Sequence, residues 1–126
     1  MIHKIGKITI YVNNQEEAKR FWCDQLEFVV TFEQQMGPEL KWIEVAPRIG
    51  AETTFVLYDK KAMLAQKADA NVSHPSIILS TTDIATAYEK MKSKGVEVGP
   101  LMQMPYGSMF SFKDIEGNTY LLREDK

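Results

Sequence analysis

A chain of 126 residues with 44% apolar and 25% charged side chains can bury a core and has the balance of an ordinary globular domain. Its net charge of −2 gives no electrostatic case for nucleic acid or an anionic membrane, and no apolar run approaches the roughly 18 residues of a membrane span. One cysteine, Cys23, excludes an internal disulfide and suits a reducing cytoplasm, and residues 1–6 lack the apolar core of a secretion signal.

Residues 7–12 alternate Ile8, Ile10 and Val12 against Lys7, Thr9 and Tyr11, which predicts a strand. Asn13-Asn14 ends it and offers a cap for a helix over 15–25, whose apolar stripe is Ala18, Phe21 and Trp22. Strands follow over 28–33, 41–45 and 53–58, separated by turns containing Gly37-Pro38 and residues 47–50. A polar connection, 59–75, has room for a short helix over 60–67. The pattern then restarts: a strand over 76–81, a cap at Thr82-Asp83, and a helix over 84–94 with Ala87, Tyr88 and Met91 inward, stopped by Gly95. A strand over 96–98, a loop over 100–106 and a terminal hairpin close the chain. The turn of that hairpin, residues 114–118, holds Gly117 for a positive φ.

The halves superpose at an offset of about 70 residues, Lys7 on Ile77 and Phe21 on Met91. The expected fold is α+β: one domain of two βαβββ modules, 5–58 and 76–126, joined by a 59–75 linker. Neither module can bury its sheet alone, so a mixed sheet curled around a cleft, helices outside, is the expected architecture.

Three stretches carry a resemblance. Residues 8–28 run apolar-x-apolar-x-Val, then Ala18, Phe21-Trp22 and Leu26-Glu27-Phe28. Residues 77–98 repeat the form with Asp83, Ala87, Tyr88 and Lys94-Gly95-Val96. The third is Phe112-Lys113-Asp114-Ile115-Glu116-Gly117-Asn118-Thr119-Tyr120-Leu121. Together they resemble the vicinal oxygen chelate superfamily, of glyoxalase, bleomycin-resistance and dioxygenase type, over essentially the whole chain. The resemblance implies the curled-sheet fold, a homodimer and, in members that do chemistry, a divalent metal held by His and Glu. The positions matching those ligands are Lys7, Ile77, Leu121 and, within a residue or two, Val56. An ammonium repels a cation and the other three lack donors, so no metal and no cofactor is expected. His3 and His74 lie outside the strands, and Glu124 reaches the position only by a three-residue slip that swaps faces.

The expected cleft is therefore apolar with a few polar groups, lined by Lys7, Thr9, Tyr11, Trp42, Ile77, Leu79, Leu121 and Arg123, with Phe55, Leu57, Thr81 and Thr119 as further walls. Lys7 and Arg123 can pair with a carboxylate or phosphate, and Tyr11 or Trp42 can stack on a ring. Glu44, mid-strand, reads first as an ordinary exposed carboxylate. Were it to face the cleft, it would be a general base or the partner of Lys7. The Met-rich run 101–107 suits either a lid or apolar filler, and Cys23 an inert thiol. The reading favoured is a cytoplasmic, metal-independent protein that holds a small organic ligand. Whether it is an enzyme stays open. The alternatives are a glyoxalase-type lyase, isomerase or dioxygenase with a metal, or metal-free acid–base chemistry by Lys7, Tyr11 or Glu44. A charge of −2 is a weak match to a cationic drug such as bleomycin.

Overall fold

The computed structural model describes residues 1–125. Its elements are β1 (Lys7–Val12), α1 (Gln15–Arg20) prolonged by a π-helical stretch (Phe21–Gln25), β2 (Val29–Gln35), β3 (Lys41–Ala46) and β4 (Thr54–Asp59). Then come α2 (Lys60–Gln66), β5 (Ile78–Thr81), α3 (Ile84–Ser93), β6 (Glu97–Val98), β7 (Met102–Met104), β8 (Gly107–Lys113) and β9 (Thr119–Glu124). The chain divides into two compact units, Met1–His74 and Pro75 onward, so α2 belongs to the first.

Both modules have the expected βαβββ-like order, but their strands form two sheets and not one curled sheet. The first has the order β1-β4-β3-β2; the second has β5-β9-β8-β6, with β7 also on β8. In each module the first strand pairs parallel to the last, β1 on β4 and β5 on β9. That pairing completes each ladder within its own module, and the strand order of each sheet is open, with edges at both sides. The curled sheet expected from the sequence is thereby overturned.

In the first module the helix side of the sheet carries Ile10, Val12, Ile43, Val45, Phe55 and Leu57, all nearly inaccessible. Trp22 packs edge-on to Phe55 at 5.2 Å and tilted on Phe28 at 4.9 Å. Phe21 and Trp22, adjacent in sequence, are both buried. A regular α-helix separates neighbouring side chains too far to bury both on one narrow face. The widened π turn brings both inward, and the Phe28 N–H closes it on the Trp22 carbonyl at 2.9 Å. Glu27, at φ 61°, then reverses the chain into β2.

Gln15 was not anticipated as a core residue. It is buried at the start of α1, where its amide nitrogen donates to the Lys41 and Leu57 carbonyls and its oxygen accepts the Lys41 N–H. It thus pins the helix to β3 and β4 through backbone groups of both strands.

In the second module α3 packs on Phe110 through Tyr88, ring centres 4.9 Å apart. Phe112 and Tyr120 stack at 5.3 Å on that same side. The 100–106 stretch, expected as a loop, contains β7. Met102 pairs with Met109 and Met104 with Gly107, which places a tight turn at Pro105-Tyr106. Gly107 has φ 136°, where glycine is strongly favoured.

Aligning the two helix caps, Asn14 and Asp83, shifts the internal repeat by one residue from the sequence alignment. Ser76 then falls opposite Lys7, and Ile77 opposite Ile8. Because strand side chains alternate, that single step moves Ile77 to the other face.

Candidate functional site

Strand alternation gives the first module a second face, on the side away from α1. The register places Lys7 beside Thr54, Thr9 beside Val56 and Tyr11 beside Tyr58, with Glu44 beside Val56 on the next strand. Trp42, two residues before Glu44, comes level with Tyr58. Three rings therefore form a row across β3, β4 and β1. Trp42 and Tyr58 meet edge to face at 6.0 Å, and Tyr58 and Tyr11 at 6.2 Å. Trp42 and Tyr11, both partly exposed, offer ring surface to a flat ligand, and the Tyr58 ring between them is buried at 8% exposure.

Glu44 is the charged centre of this face. Its carboxylate is buried at 7% exposure and accepts from Lys7 Nζ at 2.8 Å, Trp42 Nε1 at 2.7 Å and Thr54 Oγ1 at 3.0 Å. Burial works to raise its pKa, but the hydrogen bonds from Lys7, Trp42 and Thr54, with the Lys7 charge, outweigh it. The net result lies below the ordinary carboxylate value, so Glu44 is an anion at neutral pH and a poor general base. The exposed-strand reading of Glu44 is corrected: it is the partner of Lys7. The signal in the sequence was Lys7, a cation on an inward strand face that needs a partner. Lys7 itself is half exposed and commits one of its three N–H donors to Glu44.

Lys7, Thr9, Tyr11 and Trp42 thus share one face, together with Thr54 and Tyr58, which the sequence did not single out. Phe55 and Leu57, expected as walls, lie on the opposite side under the helix. In the second module Leu79 pairs with Leu122 and Thr81 with Glu124, both on the helix side. Ile77, almost fully buried, alternates to that side as well.

Leu121, Arg123 and Thr119 occupy the second sheet's face away from α3. Their neighbours there are Ile78, 62% exposed, Met109 and Met102, with Ser80, Ser111 and Lys113, so this face mixes aliphatic and polar side chains and lacks the aromatic row of its counterpart. Arg123 is exposed and donates to the Tyr106 carbonyl at 3.2 Å, bracing the β7–β8 turn. The Cys23 thiol is half buried, and burial first, then Asp24, raises its pKa, which keeps it protonated and unreactive.

Two βαβββ-like modules in tandem, each with a helix on one sheet face and the other face free of it, define the architecture of the vicinal oxygen chelate proteins. The chain belongs to the Glyoxalase/Bleomycin resistance protein/Dioxygenase superfamily, which it matches over residues 4–121. It is 42% identical over 125 residues to the uncharacterized protein YetH of Bacillus subtilis (strain 168), covering 98% of this chain and 100% of that one. Among solved structures it is similar to TnmS3, an antibiotic binding protein from Streptomyces sp. CB03234. That likeness has TM-score 0.81 and 26% identity, over 99% of this chain and 98% of the other. A superfamily member from Sphaerobacter thermophilus DSM 20745 gives TM-score 0.81 and 29% identity, covering 98% of each chain.

The divalent metal of catalytic superfamily members can be tested against the side chains at its positions. Lys7 presents an ammonium already bound to Glu44. Val56 and Leu121 occupy equivalent stations of the two repeats, opposite Thr9 and Ile78, and neither has a donor atom. The remaining position is Ile77 by sequence offset or Ser76 by the aligned caps. This set does not fit a metal of the family type. Among the described residues, no three His, Cys, Asp or Glu side chains gather to hold one, and no helix is long and apolar enough to cross a membrane.

Proposed function

We propose that the protein binds a small, flat, partly aromatic organic ligand, without a metal, on the first module's sheet face away from α1, and sequesters it without transforming it. The observation that carries this reading is the Trp42–Tyr58–Tyr11 row beside the Lys7–Glu44 pair. Rings supply stacking area, and the spare N–H donors of Lys7 supply a contact for a carboxylate, phosphate or other oxygen acceptor. The likeness to an antibiotic binding protein supports the same reading. Metal-free acid–base chemistry is disfavoured because Glu44, the best-placed carboxylate, has its basicity lowered by three donors. A homodimer in the cytoplasm completes the proposal, with size-exclusion chromatography at micromolar concentration as its check.

Calorimetric titration with 2-naphthoate tests the binding face. Wild type is expected to bind it, Trp42→Ala to lose binding, and Lys7→Met to weaken it about tenfold, the worth of one charged hydrogen bond. Unchanged affinity in both variants contradicts the proposed face. Elemental analysis is expected to find no stoichiometric Zn, Ni, Fe or Mn. One metal per chain, with an activity lost on chelation, contradicts the metal-independent reading.

A further inference from the structure

Gln66 lies at the end of α2, on the surface, and nothing about an exposed glutamine on a seven-residue helix marks it as part of a site. Its contact does. Its Nε2 donates to the Tyr58 hydroxyl at 2.6 Å, and Tyr58 is the central ring of the aromatic row. The chain is built to make that contact. Asp59, the residue after Tyr58, caps α2 by accepting the Ala62 N–H at 2.9 Å, which turns the chain back on itself within one residue. The Lys67 N–H closes the other end on the Met63 carbonyl. Two helical turns then return Gln66 to the hydroxyl of the strand's penultimate residue. So short a helix is marginal by itself, and its caps and the Gln66 contact hold it to β4.

The consequence is a matter of donors and acceptors. A phenol has one proton to give and lone pairs to receive. Among the described residues the Tyr58 hydroxyl has only the bond from Gln66, in which it accepts. Its own proton therefore remains to be donated. At the other end of the same face Lys7 also offers only donors, and the buried Glu44 already receives three. Lys7 and Tyr58 lie four residues apart in register, about 13 Å along the strands.

We infer that Gln66 is a positioning residue that sets the hydrogen-bond polarity of this face. With its amide donating, Tyr58 gives its proton to the ligand, and the site selects flat molecules with oxygen acceptors toward both ends over equally flat molecules with donors there. This deepens the proposed function and rests on it.

The test uses two neutral probes of one shape, 2,6-diacetylnaphthalene and 2,6-diaminonaphthalene, titrated by fluorescence into wild type, Tyr58→Phe, Gln66→Glu and the double variant. Gln66→Glu replaces a donor by a group that only accepts at neutral pH, and so takes the Tyr58 proton. Wild type is expected to bind the diacetyl probe at least about tenfold more tightly than the diamino probe. Tyr58→Phe and Gln66→Glu should each cut that preference severalfold, leaving the part that Lys7 supplies, and the double variant should lose no more than either single one. Because Gln66 is exposed, its replacement leaves the fold intact, as circular dichroism will show. Equal binding of the two probes by wild type overturns the inference but not the site. So does Gln66→Glu with its preference unchanged while that of Tyr58→Phe falls. Binding of neither probe overturns the inference, and if 2-naphthoate also fails to bind, the proposed function falls with it.

Discussion

Among the described residues each module buries one carboxylate, and the two are held in opposite ways. Asp114, in the second, is 8% exposed and receives only neutral donors, all within its own hairpin: the Glu116 and Asn118 amides, the Asn118 side chain and the Tyr120 hydroxyl. Burial and the neighbouring Asp114 charge drive the Tyr120 pKa far above the tyrosine range, so that phenol stays a donor. Glu44, in the first, gathers donors from three strands, one of them a half-exposed cation on the face away from α1. A carboxylate ringed by local neutral groups fixes a turn. One paired with a reachable ammonium among aromatic rings has the chemistry of a binding surface. The modules share a frame, and side chains on one face set them apart.

The contrast can be broken most forcefully at Asp114. Asp114→Ala strands the buried Tyr120 hydroxyl and two turn amides, and we expect a loss of about 3 kcal/mol in urea unfolding. Affinity for 2-naphthoate should hold wherever the protein stays folded. Next comes Gln15→Leu, which leaves three backbone groups beneath α1 without their partner. It should cost about 2 kcal/mol, again without weakening binding, and so separates damage to the first module's core from damage to its open face. Lys7→Met should show the reverse. Because Lys7 is half exposed and screened, the stability change should stay within about 1 kcal/mol while binding weakens.

The smallest effect is one of pH. Glu44 has a folded pKa below its ordinary value of 4.5, so its contribution to stability is complete above that value and is lost as pH falls through the lower folded one. Thermal melts of wild type and Glu44→Gln should therefore differ by a constant amount near neutrality, and the gap should close below about pH 4.5. A gap that widens in acid would mean that Glu44 is not held as an anion.

Much of this was legible in the sequence. The first strand could be placed to the residue because its alternation is uninterrupted, and the terminal turn because Asp114, Gly117 and Asn118 each have one natural role there. Lys7, Thr9 and Tyr11 share a face because a period of two determines it, and the pairing of β1 and β3 with β4 adds Trp42. What failed shows where local pattern stops. Phe55 and Leu57 sit in a strand apolar on both faces, so alternation cannot say which side is which. Ile77 and Leu79 were misplaced by a one-residue error in the repeat, enough to swap faces. The π turn answers to packing of Phe21 and Trp22, and the split into two sheets follows from parallel pairing of strands distant in sequence. Neither leaves a local mark. Gln66 had none either, because its meaning lies in what it touches.

The most direct test of the first module's open face is a nitrogen–proton correlation spectrum recorded during titration with 2-naphthoate. The chain has two tryptophans, Trp42 on that face and Trp22 under the helix at 1% exposure, so two indole N–H signals report on opposite sides of one sheet. We expect the Trp42 indole and the amides of Lys7–Val12 and Thr54–Asp59 to shift in proportion to occupancy, with the Trp22 indole still. Shifts confined to residues of the second module, with the Trp42 indole unmoved at saturation, would contradict the claim that the first module's open face is the binding surface.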